Sequence, residues 1–296
     1  MSIPAVQTRP WSGFAIVGFA YVVAYLVATA VVQALAGTDP MVVVAWADVA
    51  ATLAVFVFSR AFNNTSVYDP YWSLAPIPIA GYLALGPGAG NGLPTRALVI
   101  LGVVTIYGAR LTWNWIRGWP GLQHEDWRYA DFRAQMPRTY WLMSLFGLHL
   151  FPTVMVYLGC LPLFGALIDP QRPFGALDGL ATVVSLGAVL IEGVADNQLR
   201  AFRQAKRADG DICNVGLWKY SRHPNYFGEL SFWVGLLLFG LAAGAPPWTA
   251  VGALTMVGLF VGASIPMAEK RSLKRRPHYA EHQRKVSMLI PWFPKA

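Results

Sequence analysis

The sequence predicts an all-α integral membrane protein, a polytopic bundle of about seven to eight transmembrane helices. Hydrophobic residues make up 55% of the 296 residues and charged residues only 13%, whereas roughly a quarter of a soluble globular domain is charged. Apolar runs long enough to cross a bilayer recur along the chain. Helices suit them, because every backbone polar group in lipid must be hydrogen-bonded internally. We see no internal repeat, so residues 1–296 are expected to form a single membrane domain.

Eight apolar segments are the candidate spans. In chain order they are Trp11–Ala36, Met41–Arg60, Tyr71–Leu85, Thr95–Ile116, Tyr140–Ile168, Phe174–Asn197, Asn225–Ala243 and Trp248–Pro266. The third is short and is interrupted by Pro76 and Pro78, so a broken or steeply placed helix is the alternative there. The first is too long for a secretory signal peptide and lacks its small-residue cleavage site.

The basic residues are distributed asymmetrically along these spans. With eight spans, all 23 lysines and arginines except Arg96 and Arg172 fall on one side, if Arg110 is counted with the inner half of the fourth span. Such a bias marks the cytoplasmic side of a membrane protein. We therefore predict cytoplasmic N- and C-termini, and we attribute the net charge of +8 to membrane topology and not to nucleic-acid binding.

An ordered polar stretch, GLWKYSRHPNYFGE at residues 216–229, lies between two apolar segments. Pro224 keeps His223 out of the α region, which predicts a turn. A helix is then expected to start at Asn225 as its N-cap. The free N–H groups of a helix N-terminus beside basic residues make a suitable anion site.

The side chains of this stretch suit a nucleotide. Lys219, Arg222 and His223 can meet phosphate, and Asn225 and Glu229 can hydrogen-bond an amide or ribose hydroxyl groups. The alternative interpretation is a basic anchor at the membrane surface, although such an anchor requires no particular order of residues.

The fourth span carries polar residues on one face. Tyr107, Arg110 and Asn114 follow one another at spacings of three and four residues, which places them on the same side of a helix. An arginine inside a membrane helix is costly and therefore suggests function. The alternative is that Arg110 extends to the lipid headgroups.

The sixth span ends in a charged stripe formed by Glu192, Asp196, Arg200 and Arg203. We interpret this stripe as a polar helix face that contacts the ribose and phosphates of a nucleotide. A structural row of salt bridges along the helix is the alternative, because it would have the same pattern. The polar segment HEDWRY at 124–129 is a candidate cover for the cofactor, and its composition fits a solvated loop nearly as well.

The remaining candidate groups are two buried acids, Asp48 and Asp69. No metal site is expected, because the five histidines are scattered and lack ligand spacing. Cys160 lies in an apolar run and Cys213 in a polar loop, so a disulfide is not expected either.

Over about residues 100–293 these motifs resemble the steroid 5α-reductase-like membrane proteins, especially a bacterial branch of uncharacterised members. The short pattern Arg-His-Pro-x-Tyr at 222–226 also occurs in sterol reductases and isoprenylcysteine carboxyl methyltransferases. The resemblance implies that Tyr107 is the catalytic proton donor. The eukaryotic reductases pair this tyrosine with an acid, for which Asp69 is the nearest substitute here and Asp48 the second.

The resemblance also implies an NADPH site. Asp196, Arg200 and Arg203 match the cofactor-contacting stripe of that family, and Asn225 and Glu229 match the residues that hold the nicotinamide end. The complete expected cofactor site is Arg110, Asp196, Arg200, Arg203, Tyr220, Arg222, His223, Asn225 and Glu229.

The implied function is NADPH-dependent reduction of the C=C bond of an enone in a steroid-like or other apolar lipid, in the bacterial inner membrane, or in the endoplasmic reticulum of a eukaryote. Hydride adds to the β-carbon of the enone, and a phenol stabilises and protonates the carbonyl oxygen. The first alternative is a membrane methyltransferase that uses S-adenosylmethionine. The second is a non-enzymatic lipid-binding protein, which would show no nucleotide affinity.

Overall fold

The computed structural model describes residues 10–86, 93–205 and 210–295, and within these ranges the regular structure is helical, without strands. The helices are α1 (Pro10–Ala34), α2 (Pro40–Ala61), α3 (Tyr71–Leu74), α4 (Pro76–Leu85), α5 (Thr95–Gly118), α6 (Trp127–Gln135), α7 (Tyr140–Leu167), α8 (Ala176–Gln204), α9 (Pro224–Ala243), α10 (Pro247–Arg275) and α11 (Tyr279–Lys285). The all-α prediction is therefore confirmed. The N-terminus that we expect in the cytoplasm lies outside the described residues.

Seven helices of the described ranges are long and apolar enough to cross a membrane: α1, α2, α5, α7, α8, α9 and α10. Seven is the lower end of the predicted number. The segment Tyr71–Leu85 is not an eighth long helix, because it is divided into α3 of 4 residues and α4 of 10 residues. Pro76 and Pro78 have no N–H group with which to continue the hydrogen bonding of α3 into α4.

The chain forms two compact units, which are described separately below. Unit 1 comprises Met1–Gly92 and Tyr107–Cys160, and unit 2 comprises Leu93–Ile106 and Leu161–Ala296. Helices α5 and α7 each contribute one part to either unit. The single membrane domain expected from the sequence therefore contains two packing units.

Within unit 1, α3 and α4 run antiparallel to the second half of α5. The hydroxyl groups of Ser73 and Thr112 are 2.9 Å apart, and one turn further along the pair Ile77 lies beside Gly108. A Cβ atom at Gly108 would overlap the carbonyl oxygen of Ser73. Glycine is required here because the two backbones approach so closely.

Polar contacts join two connecting segments at one end of unit 1. The Asn64 side chain donates to the carbonyl oxygens of Leu122 at 2.8 Å and His124 at 2.9 Å. Glu125 accepts from the backbone N–H of Thr65 at 2.8 Å and forms a salt bridge of 3.0 Å with Arg133. These contacts agree with the prediction that the two polar segments, near 60–70 and 117–138, lie on the same side.

Helix α7 contains a π-helical segment, Ser144–Leu150. Each π turn accommodates an additional residue and loosens the regular hydrogen bonding. The ring of His149 lies in this segment. Its Nδ1 is 2.8 Å from the carbonyl oxygen of Ser144, and its Nε2 is 3.0 Å from the hydroxyl of Ser59. The segment thereby brings an imidazole into the buried part of unit 1.

Within unit 2, helices α8 and α9 are in close contact through two glycines of α9. A Cβ atom at Gly228 would lie 2.6 Å from the Cβ of Glu192, and one at Gly235 would overlap the hydroxyl of Ser185. Because no side chain separates the helices at these points, the polar stripe of α8 lies directly beside the first turns of α9.

A buried ion pair ties the start of α5 to the start of α8 in unit 2. Arg96 donates to both carboxylate oxygens of Asp178, at 2.7 and 2.9 Å, and the two residues are 4% and 1% exposed. The Nη1 and Nη2 groups of Arg96 also donate to the carbonyl oxygens of Arg172 and Pro173. The N–H of Gly175 also donates to Asp178, so both carboxylate oxygens have donors.

Candidate functional site

In unit 2 the ordered polar stretch is a turn followed by a helix start, as predicted, although the cap is not Asn225. A 3-10 turn spans Gly216–Lys219, and α9 begins at Pro224 with His223 in the N-cap position. Proline at the first helical position loses no hydrogen bond, since that N–H has no partner within the helix anyway. Asn225 is therefore released from capping, and its side chain faces α8.

The turn is fixed to α8 by two hydrogen bonds. The indole N–H of Trp218 donates to the carbonyl oxygen of Ala195 at 2.9 Å, and the N–H of Leu217 donates to the side chain of Gln198 at 2.9 Å. These contacts explain why the polar stretch and the charged stripe of α8 adjoin, although about twenty residues separate them in sequence.

Among the predicted cofactor residues, Asn225 contacts Asp196, at 3.4 Å between Asn225 Nδ2 and Asp196 Oδ1. The other amide atom, Asn225 Oδ1, is buried and accepts no hydrogen bond from the described residues. Glu229 is buried one turn further along and accepts a hydrogen bond of 2.9 Å from Trp233. Arg200 and Arg203 continue the stripe of α8, where Arg203 is exposed.

Arg222 and His223 converge on a carboxylate that sequence reasoning missed, Glu269 of α10. Arg222 Nε lies 2.6 Å and His223 Nε2 3.2 Å from the same oxygen, Oε1. Gln283 donates to the other oxygen at 2.7 Å. Glu269 is the single acid beside the basic run that follows it in sequence, and this isolation is the signal that could have identified it.

The C-terminal tail folds back onto the polar stretch. Arg222 donates from Nη1 to the carbonyl oxygens of Gln283 and Val286, and its backbone N–H donates to Ser287. The backbone of Trp292 reaches Tyr220 at 2.9 Å. The guanidinium of Arg222 thus holds the tail, and the prediction that it binds phosphate stays a prediction.

In unit 1, Tyr107 and Arg110 lie one turn apart on α5. Tyr107 is fully buried, and the atoms Nε and Nη2 of Arg110 are buried too. The buried atoms argue against an arginine that simply extends into the headgroup region. The role of Tyr107 as proton donor is not tested by this placement.

Asp69, the first-choice partner for Tyr107, has another tyrosine as its hydrogen-bond donor. The hydroxyl of Tyr129 lies 2.7 Å from Asp69 Oδ1. Burial raises the pKa of Asp69 to about 7, against the opposing charge of Arg128. Burial also raises the pKa of Tyr129 well above its usual value. The pairing of Asp69 with Tyr107 remains a prediction.

Asp48, the second-choice acid, is paired with Tyr71, a residue that sequence reasoning did not single out as a partner. The Tyr71 hydroxyl lies 2.6 Å from Asp48 Oδ1 and 2.9 Å from the Asp48 carbonyl oxygen. Tyr71 stacks on Tyr68 at 4.8 Å. Only the three-dimensional fold reveals this pair, because 23 residues separate the two partners.

Comparison with known proteins identifies the family. A family model described as a protein of unknown function, DUF1295, matches residues 55–286. The chain belongs to this family. It is also 31% identical, over 253 residues, to the uncharacterized protein C594.04c of Schizosaccharomyces pombe, covering 77% of this chain and 73% of that protein. No solved structure matches the chain.

The DUF1295 match contains all the predicted cofactor residues together with Tyr107 and Asp69. It begins well before residue 100, so similarity to known proteins extends further toward the N-terminus than the resemblance suggested. Asp48 and the tail beyond residue 286 lie outside the match. Among the described residues of this DUF1295 protein, no group of three His, Cys, Asp or Glu side chains could hold a metal ion.

Proposed function

We propose that this DUF1295 protein is an NADPH-dependent membrane reductase that acts on the C=C bond of an enone in a steroid-like or other apolar lipid. Its relation to the steroid 5α-reductases is part of the proposal. The observation that carries it is Asn225, whose buried amide oxygen lacks a donor from the described residues and lies beside Asp196 at the start of α9.

The surroundings of Asn225 suit the nicotinamide end of the cofactor. A buried acceptor without a donor costs about 1–3 kcal/mol, and the carboxamide NH₂ of nicotinamide would supply that donor. The adjacent Asp196 suits a ribose hydroxyl, because an ionised carboxylate only accepts hydrogen bonds.

The cofactor phosphates are expected further along the same stripe. Arg200 and Arg203 follow Asp196 toward the end of α8, and Lys219 is exposed in the adjoining turn. Arg222 contributes indirectly, since it holds the tail against the polar stretch. If the exposed cations bind phosphate, the affinity for NADPH weakens as salt concentration rises.

The proton is proposed to come from Tyr107. Bound NADPH would supply a hydride to the β-carbon of the enone, and negative charge would then develop on the carbonyl oxygen of the substrate. A fully buried phenol stabilises that charge and delivers a proton. NADPH supplies the hydride chemistry, while the protein positions the reacting groups and excludes water.

Replacing Tyr107 by Phe removes only the hydroxyl and tests this role. We expect turnover of an enone to fall about 10²-fold, the loss typical of one general acid, while the affinity for NADPH is unchanged. The measurement is steady-state NADPH oxidation by purified protein in lipid nanodiscs. The control is Tyr25→Phe, which deletes a hydroxyl that is exposed on α1. Near-normal turnover in Tyr107→Phe would assign the proton to another group.

Replacing Asn225 by Ala tests the cofactor site. We expect NADPH to bind about tenfold more weakly, the effect of roughly 1.4 kcal/mol, in titrations of purified protein with NADPH, NADH and S-adenosylmethionine. Asn214→Ala, which deletes an exposed amide in the loop before the turn, is the control. Equal NADPH affinity in wild type and Asn225→Ala would place the site elsewhere.

The same titrations separate the alternatives. Binding of S-adenosylmethionine in place of NADPH supports the methyltransferase, and binding of none of the three supports a non-enzymatic lipid-binding protein.

A further inference from the structure

Three large apolar side chains near the C-terminus of unit 2 are exposed. Ile290, Trp292 and Phe293 are 64%, 70% and 74% exposed, and they lie within four consecutive residues. Removing apolar surface from water is favourable. A group of exposed apolar side chains therefore marks a surface that contacts lipid or another molecule.

The backbone that carries these side chains is held in place on both sides. The N–H of Trp292 donates to the carbonyl oxygen of Tyr220 at 2.9 Å, in the polar stretch. The N–H of Lys295 donates to the carbonyl oxygen of Lys285 at 2.8 Å, at the end of α11. The ring of Phe293 meets the ring of Tyr220 edge-on, with 5.9 Å between the centroids. Because this backbone is already ordered, little further conformational entropy is lost when its side chains enter another environment.

Basic side chains lie beside the apolar group. Arg284 and Lys285 are exposed at the end of α11, and Lys295 is exposed next to Lys285. Between residues 279 and 295 the sequence has one acid, Glu281, which forms a salt bridge of 3.0 Å with Lys285. The three cations outnumber this acid, so the surface around the apolar side chains is positively charged.

The apolar group lies close to the end of a candidate membrane span. Tyr220, which Phe293 contacts, precedes Pro224 by four residues, and Pro224 is the first residue of the span α9. Four residues reach at most about 14 Å, and the headgroup layer on each side of the hydrocarbon core is about 5–8 Å thick. The exposed side chains are therefore within reach of the lipid headgroups.

We propose that Ile290, Trp292 and Phe293, together with Lys285 and Lys295, form a docking surface for an anionic phospholipid membrane. The apolar side chains enter the interfacial layer, where tryptophan is enriched in membrane proteins, and the two ammonium groups contact lipid phosphates. Charge complementarity favours this occupant, because basic residues next to a span are attracted to anionic lipids.

The consequence is that the tail is held from two sides, by the membrane and by the contacts of Arg222 described above. The surface needs no nucleotide and no reduction step, so the proposal is independent of the proposed reductase.

Hydroxyl-radical footprinting tests the surface with the full chain in lipid nanodiscs. Radicals formed in water oxidise accessible aromatic side chains, and mass spectrometry of the digest reports each residue separately. We expect Trp292 and Phe293 to be oxidised about threefold more slowly in mixed phosphatidylcholine and phosphatidylglycerol than in phosphatidylcholine alone, because the anionic lipid attracts the lysines. A high salt concentration should reduce this difference by screening.

Two double variants sharpen the test. Lys285→Gln combined with Lys295→Gln removes both charges and keeps the aromatic rings, so the difference between the two lipid compositions should disappear. Lys270→Gln combined with Lys274→Gln is the matched control, which removes the same charge from exposed positions of α10 and should keep the difference. Thermal unfolding in the same nanodiscs verifies that both variants are folded.

Native mass spectrometry after extraction into detergent gives an independent readout. Wild type and the control variant should retain phosphatidylglycerol that the Lys285→Gln, Lys295→Gln variant loses. The proposal is overturned if Trp292 is oxidised equally in both lipid compositions, or if the control variant abolishes the difference as completely. Protection of Trp292 by inorganic phosphate in phosphatidylcholine discs would also overturn it, because a free anion would then be the ligand.

Discussion

Two buried aspartates, one in each unit, differ in how completely their carboxylates are used. Asp178 of unit 2 receives two hydrogen bonds from Arg96 and one from Gly175. In Asp48 of unit 1, Oδ1 contacts the Tyr71 hydroxyl, and Oδ2 has no hydrogen-bond partner among the described residues. Both residues are over nine-tenths buried. Burial by itself therefore does not indicate how many oxygens of an acid have hydrogen-bond partners.

The largest expected effect is the loss of stability when the saturated acid is changed. Asp178→Asn leaves the guanidinium of Arg96 buried with a neutral partner, and breaking a buried pair in this way costs about 3–5 kcal/mol. Denaturation in detergent micelles measures the free energy of unfolding. The exposed Asp169→Asn is the control. By contrast, Asp48→Leu should not lower stability; a similar loss in both variants would show that the comparison is invalid.

A smaller effect is expected at Glu269 of α10, where both carboxylate oxygens have partners, as in Asp178. Glu269→Gln removes the charge that Arg222 and His223 share, and hydrogen bonds to charged groups contribute about 1.5–3 kcal/mol. We expect the backbone amides of Arg222 and Trp292, which donate to the carbonyl oxygens of Ser287 and Tyr220, to exchange with deuterium faster. Glu281→Gln, on the exposed surface of α11, is the control. Unchanged exchange would mean that the tail is held without the carboxylate.

A further effect, which depends on pH, concerns Asp69, which is intermediate because Tyr129 satisfies one of its oxygens. In the folded protein its pKa is about 7, against 3.8 when unperturbed. Between these values the folded state binds more protons than the unfolded state, so raising the pH from about 4 to about 7 lowers the free energy of unfolding. Asp69→Asn should flatten this dependence in denaturation experiments over that range. An unaltered slope in the variant would assign the effect to other groups.

Composition and periodicity were sufficient for the fold class, because the demand for internal hydrogen bonding leaves few alternatives in a membrane. They also located the turn and helix start around His223, since the consequences of a proline for its neighbours are local. At Tyr71–Leu85 they left a span and a broken helix as alternatives, and the structure has the broken helix that the two prolines suggested.

Sequence reasoning missed several residues that contact the predicted site residues. Arg222 is basic and adjoins an expected phosphate site, yet its contacts with Glu269 and the tail depend on residues about fifty positions away. Tyr71 and Glu269 were overlooked for the same reason. Spacing along a helix indicates which residues share a face, but it does not indicate which distant side chain meets that face.

The π-helical segment of α7 determines the direction in which the later side chains of that helix point around its axis. One residue of an α-helix corresponds to a rotation of about 100°. Deleting one residue within Ser144–Leu150 would let the helix return to α geometry, and the remainder of α7 would turn by that amount. Thr153 would then leave the hydroxyl groups of Thr52 and Tyr68, which it now meets at 2.6 and 2.7 Å, and Tyr157 would turn away from its contact on α2. The additional residue of the π-helical segment is therefore needed for Thr153 and Tyr157 to reach their partners in unit 1.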